Sequence, residues 1–273
     1  MLDFTVDEKL CTRCGVCVRD CPSRIIAMAD GNAPSIAPEQ ETACLQCQHC
    51  LAVCPTAAVG ILGRKPADSL PLSTGSFPTL ERMELLVRGR RSVRQYRDEN
   101  VDPALLRRLL AAMANAPTGV NRHELTFTVI DDKDDLHRLR EKVLAGLAAS
   151  TRIPERYGYL IQAGKAYHEH HNDIIFRGAP HAIFVSAPPD APCPGQDVAL
   201  SLAYFELLAQ SAGLGTVWWG IAQMFFAVLP ELKALVGIPP KHVYYAMLFG
   251  IPSVHYHRTV QRDNAAVVRH AKI

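Results

Sequence analysis

The sequence predicts an α+β fold carried by two unequal domains, and three observations predict it. Cys11, Cys14, Cys17, Cys21 and Pro22 recur 33 residues later as Cys44, Cys47, Cys50, Cys54 and Pro55, so the first stretch of chain is one small supersecondary unit written twice. GRKPADSLPLSTGSFPT, residues 63–79, follows with prolines, glycines and serines and no apolar period, which reads as a linker. Beyond it, amphipathic helical segments alternate with short strand segments, a mixture that implies a sheet sandwiched by helices. The expected organisation is a small cysteine domain over residues 1–62, the linker over 63–79 and a larger domain over 80–273.

The bulk numbers agree with a soluble, globular chain of 273 residues, 48% hydrophobic and 21% charged. A net charge of +2 is too small to imply a nucleic-acid surface, so no nucleic-acid partner is expected. The opening MLDFTVDEKL lacks a basic region followed by an apolar run, and no stretch approaches the ~18 apolar residues of a membrane span. A cytoplasmic protein without a membrane partner is the expectation. Eight of nine cysteines fall in regular short spacing without a secretory signal, which argues for metal rather than disulfides.

Each cysteine run has the form Cys-x2-Cys-x2-Cys-x3-Cys-Pro. A tight loop can aim three nearby thiolates at three corners of one cube, while the proline fixes φ and turns the chain away. This spacing resembles that of bacterial two-cluster ferredoxins, in which the fourth cysteine of each run ligates the other cluster. The resemblance covers residues 1 to about 60. It implies one 4Fe-4S cluster on Cys11, Cys14, Cys17 and Cys54, and a second on Cys44, Cys47, Cys50 and Cys21. Two zinc knuckles would also use four cysteines each, but two intact copies with proline after each fourth cysteine favour the cubes. Cys193, in APCPGQD, lies outside the pattern and is read as a lone thiol.

In the larger domain, DPALLRRLLAAMANAP opens with Asp102 as N-cap and proline at the first helical position. Leu105, Leu106, Leu109, Leu110 and Met113 then share one apolar face. ELTFTVI (124–130), AIFVSA (182–187) and HVYYAMLFG (242–250) read as strands. KDDLHRLREKVLAGLA and QDVALSLAYFELLAQSAGLG read as helices, the second closing on glycine.

RGRRSVRQYR, residues 88–97, holds five arginines and a serine, and APTGVN follows at 116–121. A solvated basic face is the bland reading. Arginine forks beside a serine hydroxyl are also what a phosphate monoester needs, and a loop with glycine and asparagine can approach a ring edge closely. Here the sequence resembles the nitroreductase family of FMN proteins. Arg90, Ser92 and Arg94, with Arg91 between, match the family's Arg-x-Ser-x-Arg/Lys. Pro117, Thr118 and Asn121 match part of its second motif, with His123 in place of a glutamine and Glu124-Leu125 in place of Pro-Trp. GLGTVWWG, Gly213 to Gly220, matches a third, and GIPSVHYHRTVQR a fourth. The resemblance spans roughly residues 80 to 265. It implies a nitroreductase-like FMN fold, a phosphate site on Arg90, Arg91, Ser92, Arg94 and Arg258, with Arg262 second to Arg258, and a flavin edge near Asn121. It also implies backbone near Trp219 and Gly220 facing flavin N5 and O4, and an obligate homodimer. Trp218, Trp219, Phe225 and Phe226 read equally as interface or as core.

Electrons are then expected to pass from two 4Fe-4S clusters to FMN and on to a small organic acceptor such as a nitroaromatic or quinone. No single catalytic acid or base is required. A nicotinamide nucleotide, NAD(P)H, or a ferredoxin-type carrier is the expected donor. A nicotinamide-dependent reductase with structural or regulatory clusters, and a non-enzymatic relay, stand as alternatives. HEHH (168–171) and HYH (255–257) lack metal-ligand spacing, and no Gly-x-Gly-x-x-Gly follows a predicted strand.

Overall fold

A computed structural model describes residues 2–150, 154–170, 172–262 and 266–273. The chain forms two compact units, the first comprising Met1–Pro78 with Val120–Arg122 and the second Thr79–Gly119 with His123–Ile273.

The first unit repeats in conformation as it does in sequence. Helices α1 (Val16–Asp20) and α2 (His49–Ala52) each start within a cysteine run. Two short antiparallel ribbons hold them: β1 (Thr5–Val6) pairs with β4 (Val59–Gly60), and β2 (Ile26–Ala27) with β3 (Ser35–Ile36). Ile25, Ile26, Leu51, Val59 and Ile61 form the core together with Cys17 and Cys50. Left-handed backbone recurs at the same offset as the cysteines: Arg13 and Gln46 (φ 56° and 54°), Gly15 and Gln48 (69° and 58°), Arg24 and Ala57 (54° and 56°). The first two pairs sit between cysteines of a run and the third just beyond the Cys-Pro that ends it, so the repeat in sequence is a repeat in turns.

The second unit is a four-stranded antiparallel sheet between two helical layers. The strands β5 (Thr126–Ile130), β6 (His181–Ala187), β7 (Gly215–Trp218) and β8 (Val243–Gly250) are ordered β5-β6-β8-β7. Every residue of β6 is buried, because both of its faces are covered. Ala182 and Phe184 face one core with Ala246 and Leu248. That core is closed by α5 (Lys133–Ala149), α6 (Gly158–His170), α8 (Ile221–Val228) and α9 (Pro230–Leu235). Ile183, Val185, Met247 and Phe249 face the other core, against α4 (Pro103–Met113) and α7 (Pro194–Ser211). The alternation follows from the two-residue period of a strand.

The expected helix from Asp102 is α4, with the Asp102 carboxylate accepting from the amides of Ala104 and Leu105. Leu106, Leu109 and Met113 are buried, and Leu105 and Leu110 pack at the margin. α7 ends at Ser211, with Gly213 at φ 79° just beyond it. Trp219, Phe225 and Phe226 are core, in ring contact with Phe176 and Phe184, while Trp218 is half-buried against Tyr245. Of the open alternatives for this aromatic stretch, packing accounts for these residues, and the Trp219 indole N–H donates to the Ile175 carbonyl at 2.8 Å. Glu169 and His170 are exposed at the end of α6, and His171 lies outside the described residues. Among the described residues no helix is long and apolar enough to cross a membrane.

Candidate functional site

Two cavities of the first unit are each lined by four cysteines. Cys21, Cys44, Cys47 and Cys50 line one, with Ile26, Ile36 and Ile61 as apolar wall. Cys11, Cys14, Cys17 and Cys54 line the other, beside Pro34, Pro55 and Val59. Each therefore takes three thiols from one run and the fourth from the other. The chain crosses over because α1 and α2 carry Cys21 and Cys54 away from their own loops. Backbone amides already address sulfur: Gln46 N–H donates to Cys44 Sγ at 3.3 Å, and Ala58 N–H to Cys54 Sγ at 3.2 Å.

The thiols differ by burial. Burial pushes Cys17 up and Cys50 up to about 11. The Val16 amide and the Thr12 hydroxyl lower Cys14, which is fully exposed. At Cys54 burial acts upward, but the amides of Ala58 and Thr56 outweigh it and lower the pKa. A site that holds four thiolates around a cluster needs such donors and an apolar wall, and both cavities have them.

In the second unit the basic segment lies along the end of the sheet. Val93 N–H donates to the Thr216 carbonyl at 2.8 Å, and Ser92 bridges Thr216 in parallel register. Arg97 N–H donates to the Ile251 carbonyl at 2.9 Å, and Ser253 N–H to the Gln95 carbonyl at 3.1 Å. Residues 92–97 are thus stitched to β7 and to the segment after β8. The stitching needs Gly215: a Cβ there would stand 2.7 Å from the Val93 side chain. Tyr96 closes the segment by donating to the Val93 carbonyl, and burial raises its phenol pKa far above the ordinary value.

The sequence-predicted residues fall into three places. Arg90, Arg91, Ser92 and Arg94 stand together on this segment. Arg90 Nη1 donates to Glu206 Oε1 at 2.9 Å, Arg94 Nη1 to the Ser92 carbonyl at 3.2 Å, and Arg91 Nη2 to the Arg88 carbonyl. Arg91 Nε is buried without a hydrogen-bond partner, an orphan donor of the kind an anion satisfies. Arg258 is exposed, a few residues beyond the stitched Ile251–Ser253.

Pro117 and Thr118 lead into a tight loop. Thr118 Oγ1 accepts from the His123 amide at 3.0 Å, and Gly119 N–H donates to buried Asp197 Oδ1 at 3.0 Å. Asn121 belongs to the first unit, where its Nδ2 donates to the Leu45 carbonyl at 2.9 Å.

Trp219 and Gly220 link β7 to α8. The Trp219 amide donates to the Ala246 carbonyl at 2.8 Å, so it is already engaged. Gly220 leaves no room for a side chain, since a Cβ would stand 2.6 Å from the Tyr245 hydroxyl. Glu206, Asp197 and Tyr245 escape the sequence reading. The only available signal was two acids, Asp197 and Glu206, inside an otherwise apolar helix.

Residues 87–251 match the model of the nitroreductase family, more than half of the chain. The chain belongs to the nitroreductase family. Residues 10–59 match the 4Fe-4S dicluster domain. A relative from Methanothermobacter thermautotrophicus, provisionally named NADH dehydrogenase/NAD(P)H nitroreductase, is 25% identical over 181 residues, covering 64% of this chain and 80% of that one. A nitroreductase with bound FMN from Bacteroides fragilis superposes with a TM-score of 0.54 at 25% identity, covering 70% of this chain and all of that one. A second with bound FMN, from Desulfitobacterium hafniense, gives 0.54 at 22% identity with the same coverage, a likeness of fold. The nitroreductase-like fold is therefore carried by the second unit, behind an iron-sulfur domain.

Proposed function

We propose that this nitroreductase-family chain is an iron-sulfur flavoprotein oxidoreductase in which two 4Fe-4S clusters reduce FMN, and FMN reduces a small organic acceptor such as a nitroaromatic or quinone. The observation that carries the reading is the pair of four-cysteine cavities, each drawing its fourth thiol from the opposite run. FMN, when bound, takes electrons singly and releases them in pairs, which is what a one-electron source and an organic acceptor require of an intermediary.

The chain's own residues divide the work. Cys11, Cys14, Cys17 and Cys54 would hold one cluster, and Cys21, Cys44, Cys47 and Cys50 the other. Arg90, Arg91, Ser92 and Arg94 would bind the FMN phosphate, joined by Arg258 from the C-terminal segment. The orphan Arg91 Nε supports an anion there. Glu206 keeps Arg90 extended while leaving four of the guanidinium's five N–H donors uncommitted to that carboxylate. Pro117 and Thr118 would border the ring, with Asn121 at its edge. Because the Trp219 amide is taken by Ala246, the donor to the flavin's reactive edge would be Gly220, whose missing side chain allows close approach. A homodimer fits the exposed Leu80, Leu85 and Val87 of α3 (Leu80–Gly89), which a second copy would cover.

The test is anaerobic reduction of the holoprotein by a low-potential one-electron donor, followed by absorbance. Flavin bleaching that follows cluster bleaching supports the reading, and flavin reduction indifferent to cluster loss sinks it. A second reading is favoured by the name of the Methanothermobacter relative: NAD(P)H reduces the flavin directly and the clusters serve another purpose. Flavin that bleaches first on mixing with NADH or NADPH, with clusters unchanged, would establish it.

A further inference from the structure

Where the chain leaves β7, β8 runs beside it. Thr216 pairs with Phe249, Val217 with Leu248 and Trp218 with Met247, and continuing that antiparallel register sets Gly220 opposite Tyr245. A Cβ on Gly220 would stand 2.6 Å from the Tyr245 hydroxyl and 3.6 Å from its Cζ, so the phenol lies directly against the glycine. Tyr245 is half-buried, with the tilted Trp218 ring 5.5 Å away between centroids. Among the described residues neither the Gly220 amide nor the Tyr245 hydroxyl has a hydrogen-bond partner, although the preceding amide, that of Trp219, is taken by the Ala246 carbonyl. Two adjacent unengaged donors beside a position without a side chain form a polar corner that can receive a ligand's acceptor.

That corner lies at one end of the candidate flavin site. Ser92 bridges Thr216, and Gly220 is four residues further along the chain, at most about 14 Å away in extended backbone. Only residues 212–214 join α7 to β7, so the two run in opposite directions. Glu206, which holds Arg90, lies toward the end of α7 that leads into β7, and Asp197, which holds Gly119, lies toward the other end. The arginine segment therefore marks one end of the α7 side of the sheet, and Gly220, Tyr245 and the turn of Pro117 and Thr118 mark the other. Tyr245 is on the α7 side because it shares a strand face with Met247 and Phe249. Tyr244, its neighbour, faces the opposite core, beneath Lys233 and beside Phe226. Strand alternation aims one tyrosine of the pair toward the site and the other away from it.

We propose that Tyr245 is a further flavin-binding residue, its hydroxyl donating, beside the Gly220 amide, to the polar edge of the isoalloxazine ring. The inference rests on the reading that FMN binds along the arginine segment with its reactive edge at Gly220. Acceptors on that edge become electron-rich when the ring is reduced, and a hydrogen bond to a charged acceptor is roughly twice as strong as one to a neutral acceptor. The tyrosine therefore holds reduced flavin more tightly than oxidised flavin. Its hydroxyl raises the potential at which the bound flavin accepts electrons.

The experiment titrates FMN into the full-length protein freed of flavin, following flavin fluorescence, and then measures the potential of the bound flavin. Tyr245→Phe should weaken binding of oxidised FMN by about two- to tenfold. It should also lower the flavin potential, since a loss tenfold greater for the reduced than for the oxidised form is a fall of about 30 mV for a two-electron couple. Tyr244→Phe should change neither quantity. A side chain that only packs would weaken both redox forms alike, so an unchanged potential in Tyr245→Phe overturns the inference, and so does unchanged affinity. Gly220→Ala tests the adjacency: its added Cβ meets a hydroxyl that phenylalanine lacks, so it should weaken FMN binding more in the natural chain than in Tyr245→Phe. Equal losses in the two backgrounds also overturn the inference. Flavin lost in Arg90→Ala but held unchanged in Tyr245→Phe leaves the flavin site standing without this tyrosine, whereas FMN binding indifferent to both variants removes the reading on which the inference rests.

Discussion

In the first unit the thiols of one cavity come from two runs of chain, each folded by turns within itself. In the second unit the candidate phosphate site is assembled across the sheet: Arg90 meets Glu206 from α7, and Ser92 meets Thr216 from β7. The difference teaches where damage travels. A change in a cysteine loop alters one cavity and leaves most of the small core of Ile25, Ile26, Leu51, Val59 and Ile61 in place. A change at the arginine segment also disturbs contacts that hold β7 and the segment after β8 to it, so binding and stability are lost together.

Removing one cysteine is the sharpest test of that contrast. Cys47→Ser leaves three thiols around its cavity, so the protein should lose about half of its iron, chiefly from one cluster. Iron and sulfide analysis under anaerobic conditions measures this, and thermal unfolding of the second unit should not move. Zinc in place of iron, or eight irons retained, would break the account of the cysteine sets.

Next in size is Arg90→Ala. Charge-assisted contacts contribute about 1.5 to 3 kcal/mol each, so FMN should bind roughly ten- to a hundredfold more weakly. Unlike the cysteine variant, this one should also destabilise the apoprotein, because Glu206, 7% exposed, loses its cation. Glu206→Gln separates the two effects: it keeps an acceptor for Arg90 and removes the buried charge, so FMN affinity should hold or rise. Arg88 and Arg97 are the controls, since the Arg88 side chain and the Arg97–Glu99 pair lie outside the motif. Full flavin content in Arg90→Ala at dilute protein would exclude this segment from the phosphate site.

His181 extends the comparison to pH. It is fully buried at the start of β6, and its Nε2 accepts from the Val101 amide at 3.0 Å, which fixes the neutral ring. Burial lowers its pKa from the ordinary 6.5. The unfolded chain therefore takes up the proton first as pH falls, and stability present above about 6.5 is lost progressively below it. Chemical denaturation of the apoprotein between pH 7 and 5 should show this slope, and His181→Gln should flatten it. An unchanged slope would assign the acid sensitivity to other groups.

What could be read from sequence divides along the same line. The cysteine sets were legible because their geometry is a matter of spacing within each run, and α4 because Asp102 and Pro103 announce its start. β7 was not identified as a strand, since it is four residues long and begins with a glycine whose reason lies at Val93, far away in sequence. The engagement of Asn121 with Leu45 and of Arg90 with Glu206 spans 76 and 116 residues, and no local pattern encodes either. Motif resemblance supplied the arginines and the serine of the phosphate segment, but not the carboxylate that orients them.

The smallest effect distinguishes the two halves of the first unit from each other. Position 15 is glycine and its counterpart is Gln48, although both adopt left-handed backbone, φ 69° and 58°. An L-residue there costs about 1 kcal/mol that glycine avoids, offset in part by glycine's greater freedom in the unfolded chain. Gln48→Gly should therefore raise the stability of the holoprotein by about 0.5 kcal/mol or leave it unchanged, while Gly15→Ala should lower it by about 1 kcal/mol. The glycine at 15 has a second reason, since a Cβ would stand 3.1 Å from the Arg19 guanidinium, which donates to the Cys14 carbonyl at 3.2 Å. Denaturation under anaerobic conditions, followed by loss of cluster absorbance, compares the two variants directly. Should Gln48→Gly destabilise as much as Gly15→Ala, the glutamine that lines the cavity of Cys21, Cys44, Cys47 and Cys50 contributes more than its backbone costs, and the two halves are specialised rather than interchangeable.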